Sequence, residues 1–267
     1  MKIAVLGAGN MGMAFSLAFV KKGMLKATDI LLVEPRLETH AALKAKGFEW
    51  ILSAVSQEIT SCDLIVLAVK PQDFSSLASE LKKHMHSGQT VLSIMAGIPI
   101  SKINDLLFVS KVVRCMPNTP AQLGVGIAGY FCQGLSREEA TFVKTLLECT
   151  GKAVELGEEK LLDSVTAISG SGPAYFYYFL QAMVAAGTQL GLTKEMAKEL
   201  ACETMLGAYH LATDSQVEFD ELIKAVASKG GTTEAALRIF ETEHVASSIE
   251  KGIRNAKLRA EELSVKN

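Results

Sequence analysis

Gly7, Gly9 and Gly12 stand directly behind a short apolar run, Lys2-Ile-Ala-Val-Leu6, and at the head of another, Met11-Gly-Met-Ala-Phe-Ser-Leu-Ala-Phe-Val20. In a strand-to-helix turn this spacing gives each glycine its own task. Gly7 takes the tight turn, Gly9 lets the backbone approach a pyrophosphate, and Gly12 lets the helix pack closely on the strand. Leu6, Asn10 and Met11 complete the loop. The unpaired N–H groups and positive dipole end at the helix start favour phosphate, so the implied chemistry is the holding of a dinucleotide. Glu34, 22 residues after Gly12, ends the next apolar run. An acid there accepts hydrogen bonds from the adenosine ribose hydroxyls, which favours NADH. Arg36, two residues on, is placed to meet a 2′-phosphate instead, which favours NADPH. The residues alone leave both cofactors open.

Three further turns end apolar runs. Ala68-Val69-Lys70-Pro71 ends a long one, Ser93-Ile-Met-Ala96-Gly97 closes another, and Cys115-Met-Pro-Asn-Thr-Pro120 a third. Open α/β sheets bind ligands at the carboxyl ends of their strands, where all three turns fall. Pro71 suits the first turn of a helix, since its missing N–H would be unpaired there. Ala96 and Gly97 are small enough for the backbone to lie against a nicotinamide ribose, and Asn118 offers an amide side chain. Later in the chain, Ser228-Lys-Gly230-Gly231-Thr232-Thr233 leads into an apolar helical pattern. Backbone N–H groups, dipole and hydroxyls together make a site for a small carboxylate. The same residues also suit a plain capped helix with Thr232 or Thr233 as N-cap. Gly170-Ser-Gly-Pro173 opens another helical pattern, with Pro173 at its first position and dense aromatics at 175–179, the composition of a core or a subunit interface.

The elements that position these residues are of two kinds. Up to about residue 155, short strands at 2–6, 30–33, 63–69, 89–94, 111–115 and 151–155 alternate with amphipathic helices such as 72–84 and 136–149. This pattern predicts a doubly wound parallel sheet of Rossmann type, buried on both faces. Beyond it only helical patterns remain: 158–168, 172–190, 194–213, 218–227, 231–242 and 244–264. Thr193 is the expected N-cap of the third, with Met196 at its N3 position. The fold class is therefore α/β, a dinucleotide-binding domain over 1–157 followed by an all-helical domain over 158–267.

Composition excludes several functions. Apolar residues make up 49% of 267, enough for a sizeable core, and the net charge is −2 with dispersed cations, so no nucleic-acid footprint exists. No apolar run is long enough to span a membrane, and the glycine turn interrupts any signal-peptide pattern. Five scattered cysteines without a C-x-x-C pair read as buried thiols in a reducing compartment, the cytoplasm. His84 and His86 lack the company a metal site needs, and no Ser/His/Asp set is evident.

Taken together, Gly7-Ala-Gly-Asn-Met-Gly12, Ala68-Val-Lys-Pro71, Arg114-Cys-Met-Pro-Asn-Thr-Pro120, Asp163-Ser-Val-Thr-Ala-Ile-Ser-Gly-Ser-Gly-Pro-Ala-Tyr175 and Ser228-Lys-Gly-Gly-Thr-Thr233 resemble the pyrroline-5-carboxylate reductase family over nearly the whole chain. The resemblance implies an oxidoreductase that reduces the cyclic imine 1-pyrroline-5-carboxylate to L-proline with NADPH or NADH. It also implies a helical dimerisation domain, with homodimers or rings of dimers. By the same resemblance Ser228, Gly230, Gly231, Thr232 and Thr233 hold the substrate, with the Thr233 hydroxyl facing the ring nitrogen as the catalytic group. Ala68, Val69, Lys70, Pro71, Ala96 and Gly97 line the nicotinamide half of the cofactor. The chain departs from the family at Lys229, where Pro is usual. It also lacks a clear counterpart, among Ser53, Val55 and Ser56, of an Asn that touches the adenosine ribose. The competing readings are a reductase of another cyclic imine, a hydroxyacid dehydrogenase of the same plan, and a non-catalytic dinucleotide-binding regulator. The second calls for a Lys or His base that is not apparent.

Overall fold

The computed structural model describes residues 1–215 and 217–266. Eight strands form one sheet: β1 Ile3–Leu6, β2 Ile30–Val33, β3 Ile51–Leu52, β4 Leu64–Leu67, β5 Thr90–Ser93, β6 Lys111–Met116, β7 Gly126–Gln133 and β8 Gly151–Glu155. Their order is β3-β2-β1-β4-β5-β6-β7-β8. The helices are α1 Asn10–Lys21, α2 Leu37–Ala45, α3 Phe74–Leu81, α4 Ile100–Leu107, α5 Arg137–Glu148, α6 Leu161–Val165, α7 Gly172–Gln189, α8 Lys194–Asp214, α9 Phe219–Val226, α10 Thr232–Thr242 and α11 Val245–Lys266.

All four residues of β1, β2 and β4 are buried, as central strands covered on both faces require. Alternate residues of the same strands feed two separate cores. Ile3, Val5, Leu32 and Val66 pack with Phe15 and Phe19 of α1 and Leu146 of α5. Ala4, Leu6, Leu31 and Leu67 pack with Phe74 of α3 and Ile103 of α4. The period-2 alternation of side chains thus sorts each strand onto both layers.

Two features depart from the sequence expectation. The sheet is parallel only through β6: β7 runs antiparallel to it, and β8 follows β7. The link from β6 to β7 carries only a 3₁₀ turn at Thr119–Leu123, too short for the crossover a parallel strand needs, so the chain must turn back. β7 escapes the pattern because Gly126 and Gly129 weaken its strand signature. Gly129 is required where it is, since a Cβ there would lie 2.7 Å from the Val165 side chain. The second departure is at Gly170-Ser-Gly-Pro173. It opens no free helix start: α6 widens into a π-helical turn at Thr166–Gly170, and Pro173 is the second residue of α7. Neither glycine there meets another backbone. Gly170 faces the Met116 side chain, and Gly172 faces open space.

The chain forms two compact units, one of Met1–Gly172 together with the segment from Ala256 onward, the other Pro173–Asn255. In the second, Gly187 of α7 lets α8 approach closely: a Cβ on it would lie only 2.9 Å from the Ala197 Cβ. Thr193 caps α8 by accepting the Met196 N–H at 3.2 Å, as expected.

Candidate functional site

The strand order reverses between β1 and β4, the point where a doubly wound sheet opens a crevice at its carboxyl edge. The glycine loop leaves β1 there and the 68–71 turn leaves β4 beside it. Parallel register fixes them as neighbours, and the Ala68 N–H donates to the Leu6 carbonyl at 2.9 Å. The three loop glycines differ in what surrounds them. Gly7 has φ +98°, and a Cβ on it would meet the Ala68 carbonyl oxygen at 2.7 Å. A Cβ on Gly12 would overlap the Gly7 carbonyl. At Gly9 a Cβ would meet nothing within 4 Å, so the space in front of this glycine is open. No side chain caps α1, whose first N–H groups, beginning at the exposed Asn10, are the natural partners of an anion.

Glu34 directly follows β2, and its side chain is only 4% exposed. Its carboxylate accepts four hydrogen bonds: from the Ala8 N–H at 3.1 Å, the Arg36 N–H at 3.1 Å, Arg36 Nε at 2.8 Å and Arg36 Nη2 at 3.0 Å. The bonded guanidinium holds the Glu34 carboxyl below the usual carboxylate range despite its burial, and Arg36 is held correspondingly more basic. The Arg36 side chain remains 57% exposed.

The other turns are split. Pro71 opens a 3₁₀ turn, Pro71–Asp73, that leads into α3, and Ala68, Val69 and Pro71 are half-buried beside the exposed Lys70. Ala96 is half-buried. Gly97 is buried at φ +70°, and its Cα faces the chain's own Leu263 and Ser264 at the end of α11. Asn118 is not a free amide: its Oδ1 accepts the Ile127 N–H at 3.0 Å and holds the start of β7. Sequence reasoning missed the role of Arg114. Only 7% exposed, it pairs with Glu159 at 2.6 Å, and the same carboxylate oxygen accepts the Ile100 N–H at the start of α4. A lone Arg inside the apolar strand Lys111-Val-Val-Arg-Cys was the available signal, since buried cations demand a partner.

In the second unit, Gly231 is the N-cap of α10, so neither Thr232 nor Thr233 is, and no side chain caps the helix. Gly230 takes φ +73°, and the Gly231 N–H donates to the Ser228 carbonyl at 3.0 Å, folding 228–231 into a tight turn. Glu234, also missed, reaches back and accepts the Gly230 N–H at 2.6 Å. An acid in the first helical turn is the signal that marks such a return contact. Thr232 is exposed and Thr233 half-buried. Among the described residues no group of three His, Cys, Asp or Glu side chains could hold a metal, and no helix is long and apolar enough to cross a membrane.

Residues 159–263 match the family model described as pyrroline-5-carboxylate reductase dimerisation. Residues 2–97 match that of NADP oxidoreductase, coenzyme F420-dependent. A pyrroline-5-carboxylate reductase of Pseudomonas aeruginosa is 36% identical over 98% of this chain and 97% of its own. Among solved structures, one of a pyrroline-5-carboxylate reductase from Coxiella burnetii superposes with a TM-score of 0.90 at 30% identity, over 98% of both chains. That of the Plasmodium falciparum enzyme, with NADP bound, gives 0.87 at 27% identity over 99% of this chain and 98% of its own. Sheet order, glycine loop, helical half and end-to-end likeness agree, and the chain belongs to the pyrroline-5-carboxylate reductase family.

Proposed function

We propose that this chain is an oxidoreductase that reduces 1-pyrroline-5-carboxylate to L-proline with NADPH or NADH, the closing step of proline biosynthesis. The observation that carries this reading is the end-to-end likeness to pyrroline-5-carboxylate reductases, which leaves no part of the fold unaccounted for. The glycine loop fits a dinucleotide: the opening in front of Gly9 and the uncapped start of α1 form a cradle that a Cβ would obstruct. Leu6, Gly7, Gly9, Asn10, Met11 and Gly12 would hold the pyrophosphate, the exposed Arg36 beside the closed-off Glu34 the adenosine end, and Ala68, Val69, Lys70, Pro71, Ala96 and Gly97 the nicotinamide end. When bound, the reduced nicotinamide supplies a hydride.

The cyclic imine is electrophilic once its nitrogen is protonated, so the protein needs neither a strong acid nor a metal and works by positioning. The first N–H groups of α10 at Thr232 and Thr233 bind the carboxylate, helped by the helix dipole. The turn at Ser228, Gly230 and Gly231, whose own N–H groups at Gly230 and Gly231 are bonded to Glu234 and Ser228, shapes the approach to them. The Thr233 hydroxyl faces the ring nitrogen, which retains its proton as the C=N bond becomes C–N. In this reading 1–157 is the dinucleotide-binding domain and 158–267 serves substrate binding and self-association as a homodimer or ring of dimers. The setting is cytoplasmic, in keeping with five unbridged thiols.

The test is loss of NADPH or NADH absorbance with 1-pyrroline-5-carboxylate as substrate. Thr233→Ala is expected to lower kcat/KM by about 10–100-fold, the scale of one hydrogen bond to a charged group. An unchanged kcat/KM would remove Thr233 from the site, and no turnover by the wild-type chain would remove the reading.

A further inference from the structure

The acid at the end of β2 stands where a ribose-binding carboxylate is expected, yet its oxygens are already taken. A carboxylate offers about four acceptor positions. At Glu34 all of them are filled from within the chain, by the Ala8 N–H, the Arg36 N–H and two guanidinium nitrogens. The side chain is closed off from solvent, whereas Arg36 is more than half exposed and its Nη1 edge carries no bond among the described residues. Position and chemistry have therefore exchanged owners: the acid is internal and the cation is what a ligand meets.

We infer that Glu34 is a positioning residue that clamps Arg36 so that its free edge reads a 2′-phosphate on the adenosine ribose, making the chain selective for NADPH over NADH. The inference rests on the dinucleotide reading given above. A bidentate guanidinium–carboxylate pair fixes the plane of Arg36, so the long side chain is ordered before the ligand arrives and less rotamer freedom is lost on binding. The clamp is itself anchored: through the Ala8 N–H the same carboxylate grips the glycine loop between Gly7 and Gly9. The 2′-phosphate reader and the pyrophosphate cradle are thus set by one side chain. A ribose 2′-hydroxyl needs an acceptor, and Glu34 has none to spare. A phosphate needs donors, and Arg36 has them.

The decisive measurement is equilibrium titration of the full chain with NADPH, NADH, 2′,5′-ADP and 5′-ADP, without imine substrate. The wild-type chain is expected to bind NADPH at least about tenfold more tightly than NADH, the scale of one charge-assisted bidentate contact. Arg36→Ala should weaken NADPH and 2′,5′-ADP by about 10–100-fold, moving NADH and 5′-ADP by less than about threefold. Arg36→Lys keeps the charge without the fork and should fall between. Glu34→Gln should reduce the NADPH-to-NADH ratio, whereas a ribose-binding Glu34 would lose NADH affinity selectively and raise it. Equal weakening of both nucleotides by Arg36→Ala, or an undiminished ratio in Glu34→Gln, overturns the inference and leaves the dinucleotide reading standing. Failure of every nucleotide to bind the wild-type chain overturns both.

Discussion

At Glu34 a single carboxylate answers to two segments, the Ala8 N–H, 26 residues away in sequence, and the Arg36 guanidinium. Those bonds need the anion, so folded Glu34 is a stronger acid than its unfolded counterpart, whose ordinary value is 4.5. The stability it contributes is complete above 4.5 and is lost as pH falls through the lower folded value. Glu34→Gln is therefore expected to melt below the wild type at neutral pH, by about 1–2 kcal/mol for lost charge-assisted bonds. The gap should narrow as pH falls below 4.5, and a gap of constant size in a thermal melt series would remove the charge as its cause. Spacing alone located Glu34 and Arg36. It left open which of them faces a ligand, because Ala8 reaches Glu34 only once β1 and β2 pair.

Among the elements, the β1–α1 turn gives its glycines separable failures. Gly9 fronts open space, so Gly9→Val should leave the melting temperature near wild type while abolishing nucleotide binding in a titration. Gly12 faces the Gly7 carbonyl, so Gly12→Ala should destabilise the fold itself by about 1–3 kcal/mol, the scale of overpacking in a filled interior. Equal loss of stability in both variants would contradict the division of labour. The same contrast explains which strands were legible. β1, β2 and β4 are apolar throughout and could be read directly, whereas β7 carries two glycines that only the nearness of Val165 and Ala121 accounts for.

For the molecule as a whole, the second unit has many large apolar side chains and few places in the single chain to put them. Phe176, Tyr177, Tyr178 and Phe179 are all more than half exposed, Tyr178 at 76%, as are Leu200, Leu211 and Phe219. Faces of this kind mark association surfaces. They fall within the segment matching a dimerisation family model. Tyr178→Asp, alone or with Phe176→Asp, is expected to shift the chain to monomer in sedimentation equilibrium at micromolar concentration. A wild-type chain that sediments as a monomer, or an undisturbed oligomer in the double variant, would remove these aromatics from the interface.

Much of this protein is legible along the chain: the glycine turn, the change from strand-helix alternation to helices near residue 155, the Thr193 cap, and the turns that collect at one sheet edge. Each depends on local periodicity and backbone freedom, which neighbouring residues set among themselves. Contact between distant segments is the part that waits for the folded molecule. The reversal at β7, the Arg114–Glu159 pair, the engagement of Asn118 and the closure of Glu34 around Arg36 and Ala8 all arise from which strands and helices come to lie side by side. A residue's spacing fixes where its Cβ emerges, but its partners come from elsewhere in the chain.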